Sequence, residues 1–449
     1  MNLRVAACVA ALLVGSTGLT QSPVPIGPRV DHHQHLLSPA LAGRLFETPT
    51  PVELPPDLHR RFRERLPRFN DSLALAELYT EDAILSFTFA PQVAAPETWV
   101  RGRQRVAGFM ARAFRNQYSI TPVSYGVDGS AGYITGYLTG IPRHYATLLS
   151  LRKGSDGEWR IAAQSLTFGG PAPVGGPVTA DRVIALLDAA GIQRAAVLSL
   201  AYIHGSANFR GDDEYAKVRA ENDWTKEQAA RFPDRLRALC SFNPLRDYAL
   251  RELDRCAKDT GVRHGVKLHF ANSAVDLRDR AHVEQLRRVF AAANTLRMPI
   301  VAHIWTGNEF IGKPYGRAEA QVFLNDILPA APDIPIQIAH LAGAGPGLDR
   351  GAREALTVLA DAISSGNPRT RNLYFDVTTN VTPVISIEDA AFIAAKLRQI
   401  GVQRILYGSD LGLGGNLPPR QAWGVFRGML PLTEAEIRTI AENVAPYMR

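Results

Sequence analysis

Short apolar runs alternate with amphipathic helical stretches along the chain from Thr179 onward. The runs are 194–203 (RAAVLSLAYI), 236–244 (LRALCSFNP), 263–270 (RHGVKLHF), 298–304 (MPIVAHI), 334–343 (IPIQIAHLAG), 372–379 (NLYFDVTT) and 405–412 (ILYGSDLG). Helical spacing fills most of the gaps, as at 281–297 and 387–400, and 179–191 (TADRVIALLDAAG) ends on a glycine stop signal. Near-continuous apolar strands are strands buried on both faces, so this rhythm predicts a parallel sheet covered by helices. An eighth candidate strand lies upstream at 26–35 (IGPRVDHHQH). Eight βα units predict an α/β fold of the (β/α)8 TIM-barrel type.

Between the first and second strands the rhythm breaks. Residues 56–170 open with a helical segment (LALAELYTED) and continue with β-rich runs at 132–139, 144–152 and 157–167. A helix followed by an antiparallel meander is α+β patterning. The chain therefore divides into a barrel of 23–55 and 171–449 and an insert of 56–170 in the first βα loop. That loop lies on the face where barrel enzymes keep their active sites.

The first residues change the picture of where the protein works. One arginine, an apolar stretch from Val5 to Gly15, then small polar residues and Pro23 and Pro25 form the pattern of a secretory signal over 1–22. Eleven apolar residues are too few to span a bilayer. A periplasmic or secreted location follows as the expectation. Cys240 sits in an apolar run, so it and Cys256 are expected as buried thiols rather than a disulfide. With 46% hydrophobic and 21% charged residues, the chain is globular rather than fibrous or disordered. The net charge of +7 is scattered and lacks aromatic-interleaved basic stripes, which argues against nucleic acid as a partner. A small-molecule substrate is expected, with no membrane span.

Several strands end in polar residues where packing alone would favour Val or Ile. His33 and His35 are two apart on one strand and so point to one side. His303 ends strand five, His340 ends strand six and Asp410 ends strand eight, so all five should meet at the barrel mouth. Neutral imidazoles with one carboxylate suit a borderline divalent ion such as Zn²⁺.

The stretches Asp31-His32-His33-Gln34-His35, GVKLH, PIVAHI, IAHLAG and LYGSD resemble the amidohydrolase superfamily. They look closest to its amidohydrolase-related branch, with aminocarboxymuconate-semialdehyde decarboxylase and several lactonases. The resemblance implies one metal held by His33, His35, His303 and Asp410, with His340 and Asp410 catalytic. In branches with two metals a carboxylated lysine on strand four bridges them, and Lys267 and His340 would then join the ligands. Lys267, His269, His204 and Trp305 are the candidates for substrate contact. The insert resembles the SnoaL-like group of the ketosteroid-isomerase-like cone fold, through LYTEDAILSF, Arg101-Gly102-Arg103 and DGEWRIAAQS. It reads as a lid or as the arm of a homodimer.

The leading expectation is a metal-dependent hydrolase that directs an activated water at a lactone, ester or amide of a small, acidic molecule. A non-oxidative decarboxylase with the same constellation is the alternative. A non-catalytic periplasmic binding protein is the second alternative, and the complete ligand set argues against it.

Overall fold

The computed structural model describes residues 27–45, 51–64, 71–88, 98–113, 119–139, 145–168, 177–206, 211, 213–307, 313–345, 347–377, 380–383, 385–411 and 416–449. The signal-like N-terminal stretch lies outside the described residues.

In chain order, β1 (Val30–His35) is followed by six strands of the insert: β2 (Tyr79–Thr88), β3 (Thr98–Arg101), β4 (Ser119–Asp128), β5 (Ala131–Thr139), β6 (Tyr145–Lys153) and β7 (Trp159–Phe168). Seven more strands complete the barrel: β8 (Arg194–Leu198), β9 (Leu236–Ser241), β10 (Val266–His269), β11 (Ile300–His303), β12 (Ile336–Ile338), β13 (Leu373–Val377) and β14 (Ile405–Tyr407). The barrel strands pair in parallel in the order β1-β8-β9-β10-β11-β12-β13-β14. Backbone hydrogen bonds from Asp410 N to His33 O (2.6 Å) and from His35 N to Leu411 O (3.1 Å) tie the last segment back to the first strand. The α/β barrel read from the sequence is the fold of the chain.

Local chemistry starts and stops the covering helices. Asp279, Asp349 and Ser386 cap helix N-termini by accepting backbone N–H bonds, and Thr433 with Glu436 forms a reciprocal capping box. Gly191, at φ 71°, ends the helix Ala180–Ala190 in the left-handed conformation that glycine adopts without a Cβ penalty.

Two apolar populations fill the barrel. The larger packs the outer strand faces against the helices. A smaller one, with Val30, Leu198, Leu239, Val301 and Leu406, lies inside the lumen. The C-terminal tail seals it, with Ala445, Tyr447 and Met448 packed into the same cluster. Lumen-facing positions are thus apolar toward the N-terminal ends of the strands and polar toward the other.

The insert forms a sheet of its own, ordered β3-β2-β7-β6-β5-β4, with β2 and β7 parallel and the other pairs antiparallel. Its core, including Phe62, Leu85, Met110, Leu149 and Trp159, is a separate cluster from those of the barrel. The segment expected to be helical throughout (LALAELYTED) is helical only at Ser72–Ala76, capped by Asp71, and then becomes β2. Tyr79, Ala83 and Leu85 are buried on that strand, and cross-strand packing overrides the local helix propensity. At the base of the insert Leu37 and Val178 exchange two backbone hydrogen bonds, of 3.1 and 2.9 Å, which hold its two ends side by side just past β1.

A second difference concerns the cysteines. Cys256, on the helix Ala249–Lys258, meets Cys240 of β9 across the helix–strand interface, and the two form a disulfide instead of remaining thiols. Their Cα atoms are 6.2 Å apart, inside the usual range for a bridge. Among the described residues no helix is long and apolar enough to cross a membrane.

Two outcomes are expected. Met448→Ala opens a cavity in the sealed lumen and should lower unfolding free energy by about 2–5 kcal/mol in a urea titration; an unchanged midpoint would show that the plug bears no load. Excising residues 57–170 and joining the ends with a short Gly/Ser loop should leave a barrel that melts cooperatively by circular dichroism, because the two cores are separate. Loss of the cooperative melt would show that they depend on each other.

Candidate metal centre at the barrel mouth

The alternation of a strand sends every second residue inward, and Val30 already faces the lumen. The pairing of β1 with β8 slips between Asp31 and Gln34, and this bulge resets the phase. After it His33 and His35 face the mouth. His32 faces the lumen below, where Nδ1 donates to Tyr407 O at 3.0 Å and Nε2 accepts from Ala445 N at 3.1 Å.

The sequence places His340 and Asp410 at strand ends, but in the structure they lie just beyond them. β12 stops at Ile338, and His340, Leu341 and Ala342 follow in a turn with φ of 51°, 50° and 65°. β14 stops at Tyr407, and Asp410 has φ 49°. Non-glycine residues in this region cost about 1–3 kcal/mol each and persist where surrounding bonds over-determine them. Asn380 supplies such bonds to the first turn, donating from Nδ2 to the carbonyls of His340 (2.8 Å), Gly345 and Gly347 (both 3.2 Å). The turns re-aim both side chains into the mouth.

There the groups converge. Asp410 Oδ1 lies 3.2 Å from His33 Nε2 and 3.1 Å from His35 Nε2, and Oδ2 lies 3.5 Å from His340 Nε2. Lys267 Nζ is 3.0 Å from His33 Nε2. His303 packs its ring 5.2 Å from that of His340 and stacks on His269 at 3.9 Å. His33, His35 and Asp410 have ligand atoms within 4.8 Å of one another, and so do His33, His340 and Asp376.

Hydrogen bonds decide which nitrogens are free. His33 Nδ1 donates to Asp376 Oδ2 at 2.9 Å, and His35 Nδ1 donates to Leu198 O at 2.7 Å. Both Nε2 atoms therefore turn lone pairs to the mouth, where Asp410 Oδ1 lies beside the two of them and Lys267 Nζ lies beside that of His33. His303 Nε2 is buried without a hydrogen-bond partner. His33, His35 and Asp410 thus fit a divalent ion, with outer hydrogen bonds that fix the tautomers of the two imidazoles.

Electrostatics point the same way. Burial drives His303 and His269 well below the ordinary histidine range and takes His340 to about 4, so all three are neutral ligands or acceptors near neutral pH. Desolvation pushes Asp410 up, but His33 and His340 beside it outweigh that and hold it well below the usual carboxylate range. Burial pulls Lys267 down to about 8, against the attraction of Asp410 and Asp376.

The other sequence candidates divide. His269 faces the mouth, its Nδ1 accepting from Asn272 N at 3.3 Å and its ring 4.9 Å from Tyr202. Trp305 sits edge-on to His303 at 6.3 Å, and its Nε1 donates to Asp349. His204 does not join the group; it is buried beside Glu221, 3.8 Å from Oε2, under the helix Glu214–Ala230. Its local position after β8 resembled a mouth residue, but the turn Ala201–Ile203 carries it aside.

Asp376 is the residue that sequence reading missed. Fully buried on β13, it takes His33 Nδ1, Gln337 Nε2 (2.7 Å) and His340 N (2.8 Å) on its two oxygens, which fixes the His33 ring and the backbone of His340 at once. The available signal was an aspartate inside the apolar run LYFDV.

The profile of the family described as Amidohydrolase (Amidohydro_2) matches residues 185–443. A search of curated protein sequences finds no relative. Similar solved structures include a 5-carboxyvanillate decarboxylase from Novosphingobium aromaticivorans complexed with manganese and 4-hydroxy-3-methoxy-5-nitrobenzoic acid. It is 14% identical, with 58% of this chain and 77% of that one covered and a TM-score of 0.39. A 2,6-dihydroxybenzoate decarboxylase from Rhizobium is 17% identical over 58% of this chain and 85% of its own, with a TM-score of 0.40.

Asp376→Asn keeps the shape but leaves His33 Nδ1 and His340 N facing a weaker, half-donating partner. Metal affinity, read by competition with a chelating dye, is expected to fall about 10–100-fold. Wild-type affinity in that variant would show that Asp376 does not orient the ligands.

Proposed function

The chain belongs to the amidohydrolase family, and from that premise we propose that it is a metal-dependent enzyme that decarboxylates a small carboxylic acid without an oxidant. The observation that carries this reading is the charge balance of the mouth. Asp376 is committed to His33, Gln337 and His340, which leaves Asp410 as the acceptor facing the Lys267 ammonium and a ring of neutral imidazoles. With a divalent ion held by His33, His35, His303 and Asp410, the mouth is cationic and suits an anionic substrate. One ion per chain, Zn²⁺ or a similar divalent metal, is the stoichiometry this set supports. When bound, the metal supplies Lewis-acid polarisation of a substrate oxygen.

The chain's own residues do the rest. Lys267 Nζ, buried on β10, is placed to pair with a substrate carboxylate. His269, Tyr202 and Trp305 offer ring faces and edges at the mouth and can hold a planar substrate. Loss of CO₂ leaves an electron pair on carbon, which must take up a proton. His340 Nε2 and Asp410 Oδ2, 3.5 Å apart, are where one proton can be held between a neutral imidazole and an ionised carboxylate.

Hydrolysis of a lactone, ester or amide is the second reading. It is favoured by the exposure of Asp410, whose side chain is 20% accessible and ionised, so that it can accept a proton from water. The disulfide between Cys240 and Cys256 supports an oxidising location, periplasmic or secreted, as the apolar N-terminal run does. For the insert, a six-stranded sheet with the helix Arg103–Ala113 supports a SnoaL-like cone module acting as a lid or a dimer arm.

Protein loaded with zinc or manganese should release CO₂ from members of a panel of small aromatic and aliphatic acids. Ring opening of lactones or cleavage of esters without CO₂ would establish the second reading instead. Metal analysis should give about one ion per chain, lost in His303→Ala. His340→Asn should keep most of the metal and lower kcat about 100-fold or more. Two ions per chain, falling to one in Lys267→Ala, would overturn the single-metal assignment.

A further inference from the structure

At the opposite end of the barrel from the mouth, a cavity of about 440 Å³ opens between the N-terminal ends of β1, β8, β13 and β14. Arg29 precedes β1, Arg194 begins β8, and Arg449 closes the tail; all three line the cavity, with Tyr374, Gln403 and Glu442. Arg235, Arg371 and Arg404, which introduce β9, β13 and β14 on this face, are matched, whereas Arg263 and Arg297, ahead of β10 and β11, form no ion pair among the described residues. Arg235 bonds Asp188 at 2.6 Å, Arg371 bonds Asp333 at 2.9 Å, and Arg404 donates to three backbone carbonyls. Among the described residues, no ion pair joins Arg29, Arg194 or Arg449 to a carboxylate. Glu442 and the main-chain carboxylate of Arg449 are the anionic groups at the lining, against three arginine side chains.

Guanidinium forks match oxyanions bidentately, and three arginines line one hollow. We propose that this cavity is a binding site for a small polyanion, a phosphate-bearing or polycarboxylate molecule, separate from the catalytic mouth. The volume exceeds that of inorganic phosphate, and Tyr374 and Gln403 add hydrogen-bonding groups to the wall. The lumen plug of Tyr447 and Met448 lies between the two ends of the barrel, so the occupant is an effector or a stabilising ligand and not a substrate. Its wall is tail: Asn443 donates to Val402 O (2.7 Å) and Ile405 O (2.6 Å), and Ala445 N reaches His32 beneath the mouth. An anion bridging Arg449 to Arg29 and Arg194 clamps that tail onto the barrel.

The test uses the full chain at constant ionic strength, with KCl as the balance, so that general screening is held fixed. Tricarballylate and inorganic phosphate are titrated calorimetrically, and thermal melts are recorded in parallel. The expected result is saturable binding with a raised Tm, weakened about tenfold by Arg194→Ala and by Arg29→Ala, and retained in the metal-site variant His303→Ala. Absence of binding for both anions overturns the proposal. So does binding that survives the double arginine variant and disappears in His303→Ala, since the anion then sits at the mouth. Neither result bears on whether the mouth decarboxylates or hydrolyses.

Discussion

The seam where β1 meets the turn after β14 is the contact on which the mouth depends. Asp410 N donates to His33 O and His35 N donates to Leu411 O, so the carboxylate and the two imidazoles are held by one stretch of paired backbone. Asp31 reinforces it from within. Its oxygens accept from Ser409 N (3.0 Å), Ser409 Oγ (2.5 Å) and His33 N (3.1 Å). Burial raises this carboxyl to about 7 even with those bonds, which shows how far the seam is removed from water. Glycine at 408 permits the close approach: a Cβ there would lie 2.7 Å from that of His33. A slip of one residue along this seam would turn the histidines away from Asp410.

The two β1 histidines of the mouth each commit one ring nitrogen to a fixed partner and turn the other to the mouth. His33 and His35 spend Nδ1 on Asp376 and a carbonyl, and both direct Nε2 at Asp410. An imidazole held this way has one tautomer and little rotational freedom, so binding a cation requires little reorganisation. The strained turns at His340 and Asp410 belong to the same economy. Regular strand geometry would send those side chains outward or along the sheet, and the left-handed backbone brings them back over the lumen.

Within one barrel, the two ends follow opposite rules. Toward the C-terminal ends of the strands, Lys267, His303, Gln337 and Asp376 fill the lumen with polar and charged groups. Toward the N-terminal ends, Val30, Leu239, Val301 and Leu406 close on a tail whose Tyr447 and Met448 exclude water. The apolar layer keeps the buried charges above it from drawing in solvent from below, where attraction between them would be screened.

What the sequence determined by itself is what period and local chemistry encode. The apolar runs and intervening helices specify a parallel barrel, because a strand buried on both faces cannot be built from alternating residues. His33, His35, His303, His340 and Asp410 were legible because each is a polar residue at or just past the end of an apolar run. Tertiary structure decided the rest. Asp376 sits mid-strand and acquires its role only from His33, which is 343 positions away. Asp31 depends in the same way on Ser409. Cys240 and Cys256 pair because a helix lies across a strand, and no spacing announces that. The segment after Ala76 becomes a strand because β7 and β3 offer it partners, although its residues favour a helix locally. His204 was misplaced because a single turn after β8 decides between mouth and flank, and the direction of a turn is set by what packs against it.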